Sequence, residues 1–394
     1  MQFKIINISD IKGFHLGNAE DKKAGTGCTV IISDKGAIAG VDVRGGAPST
    51  RETDLLKSEN SVQKINAVVI SGGSSFGLEA SSGVMNYLER KNIGYILDNI
   101  RVPIVCAASL FDLNVGSSEV RPDKEMGETA SENAYKGNFS GGNFGAGTGT
   151  SVGKIYEIDR AMKTGLGTFA CRIDKLEIGA ISAVNAIGDI YDGDNNIIAG
   201  PISKDGTKIL NSMMAHKDRI FGTDYENSNK NINVKMCNDK SSNIDSNSIK
   251  DESLLLKIEG RSSEGILPIP DNSNPNEIQI LSDDIIFGDE DDMIFNTTIS
   301  CLITNAKLTK PEANKLSSIL HDAYARAIKP VHSSLDGDTI FVMTTSEIDV
   351  DFDSFAALST DILQYAIIDS ARNAHPAYGL KASSSFKKEE ENDE

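Results

Sequence analysis

The chain has 394 residues, 39% hydrophobic and 24% charged, with a formal net charge of −18. That predicts a soluble protein of one large domain or two modest ones. The acidic excess argues against nucleic acid and anionic membranes as partners, since both need clustered Lys and Arg, and no apolar run approaches a membrane span.

The first five residues carry no long apolar stretch, so no signal peptide is expected. The five cysteines, Cys28, Cys106, Cys171, Cys237 and Cys301, are far apart and form no C-x-x-C pair. Four sit among apolar or small residues, as buried free thiols do. The five histidines, His15, His216, His321, His332 and His375, are scattered. No metal site is predicted and no cofactor is expected. Reduced cysteines point to the cytoplasm.

Lys64–Ser71 is a short apolar run of the kind that forms a buried strand. It leads into Gly72-Gly73-Ser74-Ser75-Phe76-Gly77 and a helix to about Arg90. Ser74 or Ser75 is the expected cap, and Val84, Tyr87 and Leu88 share one face. Such a glycine turn serves either tight strand–helix packing or presentation of N–H groups to an anion or oxyanion. It is neither a dinucleotide fingerprint nor a Walker loop. Residues 141–154 hold six glycines in fourteen positions and end on Lys154. Lys154 is either a surface lysine or a lone positive group beside a site. Residues 178–190 read as one strand interrupted by Ala183-Val184-Asn185-Ala186. A buried Asn185 must satisfy its amide, as a structural hydrogen-bonding residue or as an oxyanion donor.

From about residue 216 to 295 the composition changes, and roughly half of residues 226–250 are Asn or Ser. That polar, low-complexity stretch is predicted to be a disordered insertion. The acidic residues 288–292 then lead into Asn296-Thr297-Thr298-Ile299-Ser300, a strand pattern. Threonine is ordinary at such a place. It is also a nucleophile if the chain breaks before it. The freed α-amine, with a pKa of about 7.7–8.0, would be the base for its own hydroxyl.

Thr309-Lys310-Pro311-Glu312 has capping-box spacing with Pro in the first turn. The helix it opens is expected to bury Leu316, Ile319, Leu320, Ala323 and Ala327 and to end at Pro330. His321, on that helix, is expected at the surface or as a cap. Asp336-Gly337-Asp338 precedes a strand over 339–345. It is a plain turn, or a carboxylate pair that orients an ammonium group or works as acid and base. The end, about 384–394, is read as a solvated tail. Strands and helices without regular βαβ alternation predict a layered α/β or α+β architecture.

Several stretches together resemble one family, the L-aminopeptidase/D-esterase family of self-processing N-terminal-nucleophile hydrolases, which includes the β-aminopeptidases and nylon-oligomer hydrolase. They are VRGGAP from Val43, SGGSSFGLEASSG from Ser71, VPIVCAASLFDLNVG from Val102 and RPDKEMGE from Arg121. GNFGAGTGTSVGK ending at Lys154, AVNAIGD around Asn185, NTTI from Asn296 and PVHSSLDGDT from Pro330 follow in order. The resemblance implies an α-β-β-α sandwich and a single self-cut between Asn296 and Thr297. The products would be chains 1–296, ending in the polar region 216–295, and 297–394. It implies Thr297 as nucleophile, Lys154 and Asn185 beside it with Asn185 as oxyanion donor, and Asp336 and Asp338 as an acidic pair. The Asn–Thr junction and that pair lean toward the nylon-oligomer hydrolase branch. It further implies a small peptide or amino-acid amide or ester as substrate, and a homo-oligomer of cut protomers. An acyltransferase of the ornithine acetyltransferase kind and an uncut, non-catalytic binding protein are the alternatives.

Overall fold

The computed structural model describes residues 3–221 and 296–386, all within one compact unit. The low-complexity stretch at 226–250, the acidic approach at 288–292, Cys237 and the tail from 387 lie outside the described residues.

Ten strands make one mixed sheet: β1 (Phe3–Ile5), β2 (His15–Asp21), β3 (Thr26–Val43), β4 (Thr50–Arg51), β5 (Lys64–Ser71), β6 (Val105–Ser109), β7 (Leu166–Ile173), β8 (Leu176–Ala183), β9 (Ile299–Ala306) and β10 (Thr339–Ile348). Their order is β1-β7-β8-β9-β10-β3-β5-β6-β4, with β2 also paired to β3. The 18-residue β3 joins two halves. Its first part pairs with β2 and β5, its last part with β10, and the register breaks between Ile32 and Ala37. The helices are α1 (Ala80–Arg90), α2 (Lys124–Lys136), α3 (Ser212–Phe221), α4 (Lys310–Ile319), α5 (His321–Ala327) and α6 (Phe352–Arg372).

Strand alternation sorts the apolar residues into layers. Val68 and Ile70 of β5 and Ile31 of β3 share an inner core with Ile181, Cys301, Ile303, Phe341 and Met343. Their neighbours Val30, Val69 and Ala107 point the other way, against Val84, Leu88 and Ala130 of α1 and α2. On the opposite outer face Ala180, Leu302 and Val342 meet Leu316, Tyr324, Leu363 and Ile367 of α4, α5 and α6. The result is the helix–sheet–sheet–helix layering that the family resemblance implies. Strands buried on both faces read as continuous apolar runs, as Lys64–Ser71 does.

Three local expectations change. The strand expected over 178–190 is β8 plus a separate short strand, Asp189–Tyr191. Between them the backbone turns to another segment: the Ile187 carbonyl accepts the Lys154 N–H at 3.1 Å, and the Val184 carbonyl accepts the Thr164 hydroxyl at 2.6 Å. Neither Ser74 nor Ser75 caps α1, because a 3₁₀ stretch, Ser74–Glu79, intervenes. The helix from Lys310 has its capping box but breaks at Leu320 into α4 and α5. Two parallel crossovers, β5 to β6 through α1 and β9 to β10 through α4 and α5, are also present. Among the described residues no helix is long and apolar enough to cross a membrane.

The β3–α4 contact is backbone against backbone. A Cβ on Gly40 would stand 2.3 Å from the Asn314 nitrogen and 2.3 Å from the Ala313 carbonyl carbon. Gly40→Ala therefore forces β3 and α4 apart and is expected to cost about 1–3 kcal/mol in urea denaturation. Gly193→Ala, with no atom within 4 Å of its Cβ, should stay within about 0.5 kcal/mol of wild type. Equal stability of the two variants would contradict this packing.

Candidate active site

The segment before β9 is held from both sides. On one side it continues the parallel ladder with the approach to β10. The Asn296 N–H donates to the Leu335 carbonyl at 3.0 Å, the Asn296 carbonyl accepts the Gly337 N–H at 3.1 Å, and the Thr298 carbonyl accepts the Thr339 N–H at 3.0 Å. On the other side the Thr297 N–H donates to the backbone carbonyl of Asn185 at 2.9 Å. The Thr297 hydroxyl donates to the carbonyl oxygen of Asn296, the residue before it.

Lys154, Asn185, Asn296, Thr297, Asp336 and Asp338 are each no more than 4% exposed. Lys154 Nζ donates to Asn185 Oδ1 at 2.6 Å, and the Ser151 N–H donates to the same oxygen at 3.1 Å. Asn185 Nδ2 donates to the Phe111 carbonyl at 2.8 Å. Asp338 Oδ1 accepts the Thr298 N–H at 2.8 Å, and Asp336 Oδ2 accepts the Ser333 N–H at 2.7 Å. All six predicted site residues thus fall into one buried network, with Asn185 reaching Thr297 through its main chain and Lys154 through its side chain. The backbone donor that the Asn296 carbonyl accepts in this arrangement is the Gly337 N–H.

The acidic turn is itself backed by the VRGGAP segment. Arg44, Gly46 and Ala47 donate their N–H groups to the carbonyls of Asp338, Ser333 and Asp336 at 2.8, 3.1 and 2.9 Å. A Cβ on Gly45 or Gly46 would stand 2.3 Å from the Asp336 or Ser334 carbonyl oxygen. Only glycine permits that approach.

Burial sets the charges. Desolvation pulls the Lys154 ammonium down to about 7, against the attraction of Asp336 and Asp112. Desolvation, helped by the charge of Asp338, raises Asp336 to about 6. Lys154, which the sequence leaves as a surface lysine or a lone positive group beside a site, is buried and is not alone. A second buried lysine, Lys163, is also pulled to about 7 by desolvation, and its Nζ donates to the Gly147 carbonyl at 2.9 Å. Asp112, raised to about 6 by burial, accepts the Gly73 N–H at 2.7 Å and the Thr26 hydroxyl at 2.8 Å. The glycine turn at 72–77 therefore serves an internal carboxylate. His321 is buried, not at the surface, with Nε2 3.3 Å from the Asp42 carbonyl.

Asp112, His332 and the Gly337 N–H lie inside the motif stretches, but as types they gave no separate signal. Lys163 lies in none of them. Cys28, Cys106, Cys171 and Cys301 are buried free thiols, as expected, and among the described residues no His/Cys/Asp/Glu cluster could hold a metal.

A family model described as peptidase family S58 matches residues 7–384. An uncharacterized aminopeptidase of Mycobacterium leprae is 29% identical over 359 residues, 87% of this chain and 79% of the relative. A 6-aminohexanoate-oligomer endohydrolase of Kocuria sp. is 26% identical over 377 residues, 92% of this chain and 85% of the relative. Among solved structures, the L-aminopeptidase D-Ala-esterase/amidase of Ochrobactrum anthropi, an Ntn-hydrolase-fold variant, superposes with a TM-score of 0.55 at 15% identity, covering 93% and 86% of the two chains. A Burkholderia sp. β-aminopeptidase superposes with a TM-score of 0.57 at 13% identity, covering 96% and 91%. These likenesses establish the fold.

The buried lysines have a stability signature. Unfolded, Lys163 keeps its proton to its ordinary 10.5; folded, it gives it up near 7. Between those values the unfolded chain binds more protons, so stability rises with pH. Wild type is expected to gain stability on Lys163→Met as pH goes from about 7 to about 9.5, read as the difference in thermal midpoint. Parallel curves would mean that Lys163 titrates near its ordinary value.

Proposed function

The chain belongs to peptidase family S58 and is a hydrolase of peptide or amide bonds, and we propose that it is a self-processing aminopeptidase or amidase whose nucleophile is the Thr297 hydroxyl. The observation that carries this reading is that hydroxyl, hydrogen-bonded to the carbonyl of the very peptide it would cut.

In self-cleavage Thr297 Oγ attacks the Asn296 carbonyl carbon. The C–N bond breaks, the hydroxyl proton goes to the departing nitrogen, and Asn296 is left as an ester on Thr297. That step frees the α-amine, and water then hydrolyses the ester to the Asn296 carboxylate and the Thr297 hydroxyl. The Gly337 N–H, already on the Asn296 carbonyl oxygen, stabilises the developing oxyanion. A donor of this kind is typically worth roughly 10²–10³ in kcat. Asn185 is the second donor in this reading, exchanging its Phe111 contact as the carbonyl becomes tetrahedral.

In turnover the free amine of Thr297, held by the Asn185 carbonyl, takes the hydroxyl proton as Oγ attacks the substrate carbonyl. It returns that proton to the leaving amine, and water then releases the acyl group. Lys154 holds Asn185 in place by its 2.6 Å contact. Asp336 and Asp338 favour a cationic amine nearby, either that of Thr297 or that of a substrate with a free N-terminus. Substrates are accordingly small peptides or amino-acid amides and esters. Reduced thiols fit a cytoplasmic setting, and processed protomers are taken to assemble into a homo-oligomer.

Intact-mass spectrometry under denaturing conditions is expected to give two chains, with the break between Asn296 and Thr297. Thr297→Ala should give one full-length mass and no amide hydrolysis, since one hydroxyl serves both steps. Cleavage that persists in that variant would move the nucleophile elsewhere, Thr298 first. Asn185→Ala should lower kcat far more than it raises KM, and an effect on KM alone would remove its oxyanion role.

A further inference from the structure

We propose that His332 is a positioning residue for this reaction, fixing the orientation of the Asp338 carboxylate beside the nucleophile; this rests on the Thr297 reading above. Asp338 is 1% exposed in its side chain and His332 20%. One carboxylate oxygen, Oδ1, accepts the Thr298 N–H. The other, Oδ2, accepts two donors from a single residue: the His332 backbone N–H at 3.2 Å and His332 Nδ1 at 2.7 Å. Two backbone N–H groups already face this carboxylate, so its oxygens are acceptors and Nδ1 carries the proton. Nε2 is buried with no hydrogen-bond partner among the described residues, which disfavours a proton there. His332 therefore donates to Asp338 from Nδ1.

The backbone is bent to make this possible. His332 has φ +60°, a left-handed conformation uncommon outside glycine and asparagine. It aims the main-chain and ring donors of one residue at one oxygen. The ring is braced from behind by His321, edge-on with centroids 4.7 Å apart, and by Tyr324, stacked at 5.9 Å. Tyr324 in turn donates to Ser300 Oγ at 2.8 Å and lies 3.2 Å from the Thr298 carbonyl. The brace is thus tied to the nucleophile's own strand. His321 adds no charge, because burial drives it to about 3.

His332 thereby fixes the Asp338 carboxylate, whose charge helps hold Asp336 up. The other ionisable groups around this cluster are Lys154 facing Asp336, Tyr324, and Asp42 with Arg44 behind His321.

The test uses the full-length processed enzyme on an amide substrate, with kcat and KM measured across pH. His332→Gly removes the ring and keeps the left-handed backbone. It should lower kcat by about tenfold to a hundredfold, with KM little changed. His332→Asn tolerates the same backbone and offers an amide N–H. It should recover most of the lost kcat, a rescue that a merely structural role would not give. If the glycine variant does not fold, His332→Ala replaces it: with no side-chain donor and no added charge, it should lose kcat likewise. A donor-less variant with wild-type kcat would overturn the proposal, as would Asn and donor-less variants equally impaired. Thr297→Ala is run alongside. Hydrolysis surviving there sinks the nucleophile reading itself, whatever His332 does.

Discussion

The structure turns on one peptide, Asn296–Thr297, clamped between two neighbours that share no sequence proximity. The carbonyl of Asn185 takes the Thr297 N–H, and the Gly337 N–H takes the Asn296 carbonyl. This peptide bond therefore has both of its polar groups committed inside the protein, where an uncommitted group would be costly. Almost everything else in the site serves one of the two clamps. Lys154, Ser151 and Phe111 fix Asn185, and the Arg44–Ala47 backbone together with the Asp336 and Asp338 side chains fixes the turn at Gly337.

The second organising feature is charge in a dry place. Lys154 and Lys163 sit near 7, and Asp112 and Asp336 near 6, each displaced chiefly by desolvation. Every one of these shifts is unfavourable to folding at neutral pH, the lysines because they shed a proton on burial and the carboxylates because they stay ionised away from water. A chain selected for stability alone would fill these positions with apolar side chains. The strain is concentrated around Asn185 and the acidic turn, where groups poised near neutrality can exchange protons readily.

Much of this was legible in the sequence, for identifiable reasons. Lys64–Ser71 is legible because a strand buried on both faces must be apolar throughout. The cap at Thr309 is legible because its chemistry is local. The site residues were legible only as members of ordered motifs. Singly, Asn185 in an apolar run or Asp336 in a turn had a plain structural explanation. What escaped depended on distance in sequence. His321 reads as exposed because helical periodicity does not reveal Asp42 or His332 beside it. Lys163 gave no sign of burial, since its partners are main-chain carbonyls. The interruption at 184–188 comes from hydrogen bonds to residues 153–164, which no local propensity encodes.

If Thr297 is the nucleophile, the same clamp also constrains turnover. The acyl part of a substrate must bring its carbonyl to the place the Asn296 carbonyl occupies, because Oγ and the Gly337 N–H are fixed relative to each other by the sheet. Asn296 reaches that place as one more residue of a strand, its N–H on Leu335 and its carbonyl on Gly337. An acyl group with an N–H one residue's length from its carbonyl can make the same two bonds, in the manner of strand addition. Self-processing and substrate binding would then be one recognition event with two occupants. The first would be covalently tethered and so present at very high effective concentration, which would let the chain cut itself with a site still lacking its free amine. The amine, once released, would stay against Asn185 and supply the base that the first reaction did without.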